Sequence, residues 1–185
     1  MRNSKLVAFL LALVLCVVSV AAALADFNDV SEEWIVAMEK KACTILKNEG
    51  NNIDYKTLKE VSGSYYGNEY TFFLTSAKGK QYAAAFNEKG NLTHLNNYEG
   101  IQGQVKDVSK LDSKTMEKIE KKINSFLKAN NPSLKKKIGK LVVSHYLKDG
   151  KTTYVEITDK KNKVDFYLKI NSSGVRITMF NAFVK

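Results

Sequence analysis

At 185 residues the chain is long enough to bury a core of its own, so folding requires neither a metal nor a disulfide. Its 29 Lys+Arg against 19 Asp+Glu give a net charge of +10 and suggest an anionic partner. Arg2 and Arg176 are the only arginines, however, which weakens any reading as a specific phosphate binder.

The first 25 residues predict a cleaved signal peptide. Arg2 and Lys5 form a charged start, 6–20 is an apolar run, and Ala23-Leu24-Ala25 offers small residues for cleavage after Ala25. A retained membrane span is the rival reading. The run is short of the ~20 residues a span needs, and no basic stop-transfer segment follows. Lipid attachment at Cys16 is disfavoured because Leu13-Val14-Leu15 lacks the small residue such sites prefer. Without Arg2 and Lys5 the 29 basic residues become 27 against 19 acidic ones, a charge of +8. Cys43 is then the only cysteine, so no internal disulfide can form. Its place in an amphipathic segment suits a small buried side chain.

Residues 31–48 predict a helix. Ile35, Met38, Ala42, Ile45 and Leu46 form one apolar stripe, Ser31 is a suitable N-cap, and the helix should stop near Asn48-Glu49-Gly50. Strands are expected at 58–66, 70–75, 81–86 and 92–98, broken by short polar turns. The segment 101–111 reads as a linker. A second helix follows at 112–130, with Met116, Ile119, Ile123, Phe126 and Leu127 at the spacing of the first stripe. Asp112 is its cap, and Pro132 marks its end. Strands are then expected at 138–147, 152–158, 164–170 and 175–183.

Helix then strands, twice over, predicts an internal duplication. The expected fold is α+β, as two tandem repeats at 27–100 and 112–185. Each would pack one helix on a three- to four-stranded antiparallel sheet, with the two sheets free to join edge to edge. Alternation turns Phe72, Leu74, Tyr82, Ala84, Phe86, Val155, Ile157, Phe166, Leu168 and Ile170 towards the helices. Phe73, Ala83, Ala85, Tyr154, Glu156, Asp165, Tyr167 and Lys169 fall on the opposite face.

The segments KQYAAAFNEKG at 80–90 and KVDFYLKINSSG at 163–174 share an apolar-Asn-x-x-Gly hairpin. Together with the capped helix and antiparallel meander, they resemble the PepSY-like domain, within the wider cystatin-like group of folds. The tandem arrangement resembles the beta-lactamase inhibitory proteins. Two features depart from these families. Asn87 and Asn171 stand where PepSY hairpins carry an acidic residue, and the inhibitors' paired cysteines are missing. The resemblance implies a secreted or periplasmic binding module and transfers no site residue.

No catalytic constellation is legible. His94 and His145 lie on separate strands, no serine or cysteine sits in a nucleophile motif, and no metal-ligand spacing or Gly-rich phosphate loop occurs. Asp159, Asp165 and Glu156 could form a carboxylate group, but unrelated carboxylates often meet on antiparallel strands. A hydrolase would have only the two histidines and Cys43 behind it. The expectation is a non-enzyme with no cofactor and no metal. Its partner would be a protein in the envelope or medium, such as an extracellular enzyme that it inhibits. The site is expected on the face away from the helices, around Phe73, Tyr154 and Tyr167, with Tyr65 and Tyr66 as further aromatics. The alternative is an envelope adhesin that holds anionic polymers through Lys135-Lys136-Lys137 with Lys140, and Lys160-Lys161 with Lys163. Export argues against nucleic acid.

Overall fold

A computed structural model describes residues 30–66, 68–100, 103–107 and 111–182. The signal-peptide segment lies outside these residues. No helix among those described is long and apolar enough to cross a membrane.

Helix α1 (Glu32–Asn48) begins where the Ser31 side chain accepts the Trp34 N–H. Glu32 and Glu33 in its first turn and Lys47 in its last complement the helix dipole. The chain leaves the helix through Gly50, whose φ of +82° a residue with a side chain rarely adopts. A 3-10 turn (Tyr55–Thr57) leads into strands β1 (Glu60–Tyr66), β2 (Glu69–Thr75), β3 (Gln81–Asn87) and β4 (Leu92–Asn96). Inside the expected linker, β5 (Gln104–Val105) forms a short strand. Helix α2 (Ser113–Asn130) starts where Asp112 accepts the Thr115 N–H, and it ends at Asn131. The Asn131 side chain in turn caps a short helix α3 (Pro132–Lys135), with Pro at the start, where its missing N–H costs nothing. Strands β6 (Val142–Asp149), β7 (Thr152–Asp159), β8 (Val164–Asn171) and β9 (Gly174–Ala182) complete the chain.

The expected fold class needs correction, because the chain does not form two tandem helix-on-sheet repeats. All strands belong to one antiparallel sheet in the order β1-β2-β3-β4-β9-β8-β7-β6-β5. The seam is the β4–β9 pairing, with Leu95 opposite Phe180. One hydrophobic core runs across it, from Ile35, Leu46, Phe72 and Phe86 to Ile123, Phe126, Phe166 and Phe180. The linker therefore ends in the sheet rather than separating two units: β5 pairs with β6 through Gln104–Lys148 and Val105–Leu147.

Two strand limits differ from the alternation pattern. Tyr98 is not in β4; it has a φ of +49° and lies beyond the strand's end. Residues 138–141 do not join β6, because Gly139 N–H donates 2.7 Å to the Asp159 carboxylate instead of a strand. Register breaks lie between Ala85 and Phe86 opposite β4, and between Tyr167 and Leu168 opposite β9. A bulge of this kind shifts which residues face inward.

Side chains lock the seam. Glu49, 5 % exposed, accepts the Ile177 backbone N–H at 2.8 Å and the Lys122 ammonium at 2.8 Å. It thus continues the hydrogen bonding of β9 past Asn97, whose N–H donates to Thr178 O. Asn131, at the end of α2, donates 2.8 Å to Leu92 O in β4. Phe126 of α2 packs edge-on against Phe180, with ring centroids 5.5 Å apart.

Candidate binding face

The helices cover one side of the sheet. On the other side, the register aligns Phe73 with Ala83 and Asn96, and Thr71 with Ala85 and His94. Ala83 and Ala85 are buried even though they face away from the helices, because larger neighbours flank them on both strands. The first half of the outward face is thus a shallow trough with an alanine floor. Phe73 stands on its wall at 44 % exposed. Near it, the chain leaving β4 brings back Tyr98, which is 54 % exposed. Between the two rings lies a hollow of about 190 Å³, rimmed by Glu60, Ser62, Thr75 and Gln81.

A second hollow of about 290 Å³ adjoins it: Tyr82 lines both, and the consecutive residues Tyr98 and Glu99 line one each. Lys78, Lys80, Lys169 and Arg176 line that notch, against Glu49 and Glu99. Glu49 is already bonded to Lys122 and the Ile177 N–H, and Glu99 holds the Lys169 ammonium. Arg176 lies against Gly50, where any Cβ would collide with its guanidinium. It sits directly opposite Lys169 across the β8–β9 pair, and like charges so placed repel. The notch therefore carries an excess of positive charge over the acidic groups lining it.

The three residues expected to hold a partner share one face but not one patch. Phe73 is on β2, while Tyr154 and Tyr167 are on β7 and β8. At ~4.8 Å per strand, Phe73 and Tyr167 lie roughly 19 Å apart across β3, β4 and β9. Tyr154 is 9 % exposed, with the Lys169 ammonium 5.8 Å above its ring. Tyr167 donates its hydroxyl to Glu156 Oε1 at 3.0 Å; burial and then Glu156 push its pKa up to about 12. Of the further aromatics, Tyr66 is exposed on the outward face, whereas Tyr65 lies on the helix side with its ring on Tyr70. Sequence reasoning missed Tyr98 and Arg176. Alternation runs the fourth strand through Tyr98, and the only sign of Arg176 in the sequence is its rarity.

The other reactive side chains have structural partners. His145 Nδ1 lies 3.3 Å from Glu156 Oε2 on an exposed edge. His94 has its pKa lowered by burial, which outweighs the raising effect of its hydrogen bond with Asn181. Cys43 is buried in α1; burial, then the charges of Glu39 and Asp54, push its thiol up to about 11, which keeps it protonated and unreactive. Asp159, Asp165 and Glu156 do not converge. Asp159 binds the Gly139, Lys161 and Asn162 N–H groups, and Asp165 takes the Thr158 hydroxyl. Through these bonds, and the 2.8 Å contact of Asn162 Nδ2 with Lys137 O, the lysine runs at 135–140 and 160–163 meet in one corner.

No protein-family model, curated protein or solved structure matches the chain.

Proposed function

We propose that the chain is a secreted or periplasmic, non-catalytic binding protein, inhibitor-like towards an extracellular enzyme, that takes a protein partner on its outward sheet face. One observation carries this reading: a hollow between the exposed rings of Phe73 and Tyr98 adjoins a cationic notch at Arg176, with Tyr82 lining both. A partner presenting an apolar side chain beside an acidic one would fill both. Aromatic rings on a stiff sheet give contact area with few torsions to freeze, and the notch would select for charge. Tyr154 and Tyr167 extend the same face towards its far end.

Partner capture from the exporting cell's envelope and medium tests the reading, with melting temperature measured on the same variants. Phe73→Ala and Tyr98→Ala should each lose the partner at least tenfold and melt within about 2 °C of the parent, because both rings are exposed. Tyr154→Ala, at a buried ring, should lower melting by several degrees. Undiminished capture by both exposed-ring variants would remove the proposal.

The lysine corner favours a second reading, attachment to an anionic envelope polymer. Lys136, Lys137, Lys140, Lys160, Lys161 and Lys163 are all exposed there. Polymer attachment would collapse with added salt, whereas ring-driven capture would weaken much less.

A further inference from the structure

Strand β1 forms one end of the sheet, and among the described residues no strand pairs with its outer side. The β2–β3 hairpin fixes which backbone groups point there. Ser76 N–H donates to Lys80 O, so the even-numbered residues of β2 bond to β3. Glu69, Thr71, Phe73 and Thr75 then bond towards β1, where they face Tyr66, Ser64, Ser62 and Glu60. Val61, Gly63 and Tyr65 are left with both N–H and C=O turned to the open edge.

That edge lacks the usual guards. The strand EVSGSYY holds no Lys and no Pro, and its register with β2 is unbroken. The opposite end of the sheet is defended: β5 covers part of β6, and β6 carries a register break between Val143 and His145. A regular, undefended edge is a template for another strand.

We infer that this edge pairs with the same edge of a second copy, antiparallel, about a two-fold axis at Gly63. This register pairs Val61, Gly63 and Tyr65 entirely within the strand. Shifting the axis by one residue would set Tyr65 or Val61 against residues outside it. Gly63 meets Gly63, Ser62 meets Ser64, and Val61 meets Tyr65 of the second copy. The last is a β-branched–aromatic pair on the helix side, of the kind that stabilises sheets. On the outward side, Glu60 meets the hydroxyl end of Tyr66, which is 88 % exposed. The densest lysine runs border β6, β7 and β8 at the far end of the sheet, so the net positive charge opposes this contact weakly. One strand pair falls below the ~1,200 Å² typical of stable complexes, so the dimer should depend on concentration.

Sedimentation of the purified chain from about 1 μM to about 500 μM, a range suited to weak association, tests the inference. The parent should shift from monomer to dimer. Gly63→Pro removes an outward N–H that the β1–β2 ladder does not use, and Pro is tolerated on edge strands; it should weaken the dimer at least tenfold. Val61→Lys should do the same. Facing residues in such a pair have Cα atoms ~5.5 Å apart, within disulfide reach. Gly63→Cys should therefore give a linked dimer under mild oxidation, and Ser62→Cys, offset from its own copy, should not. Trp34 fluorescence checks that each variant folds. If Gly63→Pro does not fold, Val61→Lys and the cysteine pair decide. A parent that stays monomeric overturns the inference, as does a dimer that Val61→Lys leaves intact or a Ser62→Cys variant that cross-links as readily as Gly63→Cys.

Discussion

Ile45 in α1 and Ile123 in α2 are both buried in the common core. Truncating either removes the transfer energy of the lost methyl and methylene groups and leaves a cavity, so Ile45→Ala and Ile123→Ala should each cost about 2–5 kcal/mol. Lys121, exposed on the opposite side of α2, should change stability by no more than ~0.5 kcal/mol when replaced by Ala. Chemical denaturation of the three variants measures this, and equal losses at all three would mean that the helices bury other faces. These residues were legible because a helical stripe depends only on local spacing. Met116 belongs to the same stripe but is only partly buried, since it lies near the start of α2. Tyr98 and Arg176 were not legible. Each owes its position to where β4 ends against β9, which is a long-range fact.

Asp159 shows how one side chain can set an element's limit. Its carboxylate is 1 % exposed and gathers N–H donors from Gly139, Lys161 and Asn162, with Asn162 Nδ2 at 2.6 Å. It thereby delays the start of β6 and closes the β7–β8 turn. Burial alone would raise its pKa, but the hydrogen bonds outweigh burial and hold it below the ordinary 3.8. Because the folded value is depressed, its stabilising contribution is complete above the unfolded pKa and disappears as pH falls through the folded pKa. Asp159→Asn should cost about 1.5–3 kcal/mol near pH 7, the scale of hydrogen bonds to a charged group. The gap between variant and parent should narrow steadily below about pH 4. Urea denaturation across that range measures it; a gap independent of pH would mean that the charge contributes nothing. Apolar spacing alone runs the strand back to Ile138, because Ile138, Leu141 and Val143 read the same whether or not their backbone joins a ladder. The bulges in β4 and β9, at Thr93 and Thr178, are hidden for a similar reason: a bulge residue differs in backbone, not in side-chain type.

At the scale of the molecule, local patterns described each half well and missed how the halves relate. Hairpins and helix caps are short-range and appear in the sequence. The β4–β9 seam pairs His94 with Asn181 and Leu95 with Phe180, residues far apart in the chain, and no local pattern encodes it. A reading as two units follows naturally from local signals; the single sheet overturns it, with energetic consequences. Glu49, Lys122 and Ile177 form one buried connection between α1, α2 and β9, and Asn131 ties α2 to β4. Separating the halves would leave Glu49 without its cation and N–H, and would expose Leu95 and Phe180, which are fully buried. Breaking such a buried pair is strongly unfavourable, so unfolding should be a single cooperative transition. Trp34, the sole tryptophan, gives a direct test because it reports on α1 through its packing against Tyr70, with ring centroids 4.8 Å apart. Ile123→Ala lies in α2, outside that neighbourhood. If the core is one unit, this substitution should shift the Trp34 fluorescence transition by the same amount as the far-ultraviolet circular dichroism transition, and the two curves should coincide. If the Trp34 curve stays at the parent midpoint while the dichroism curve moves, the halves unfold independently and the seam does not couple them.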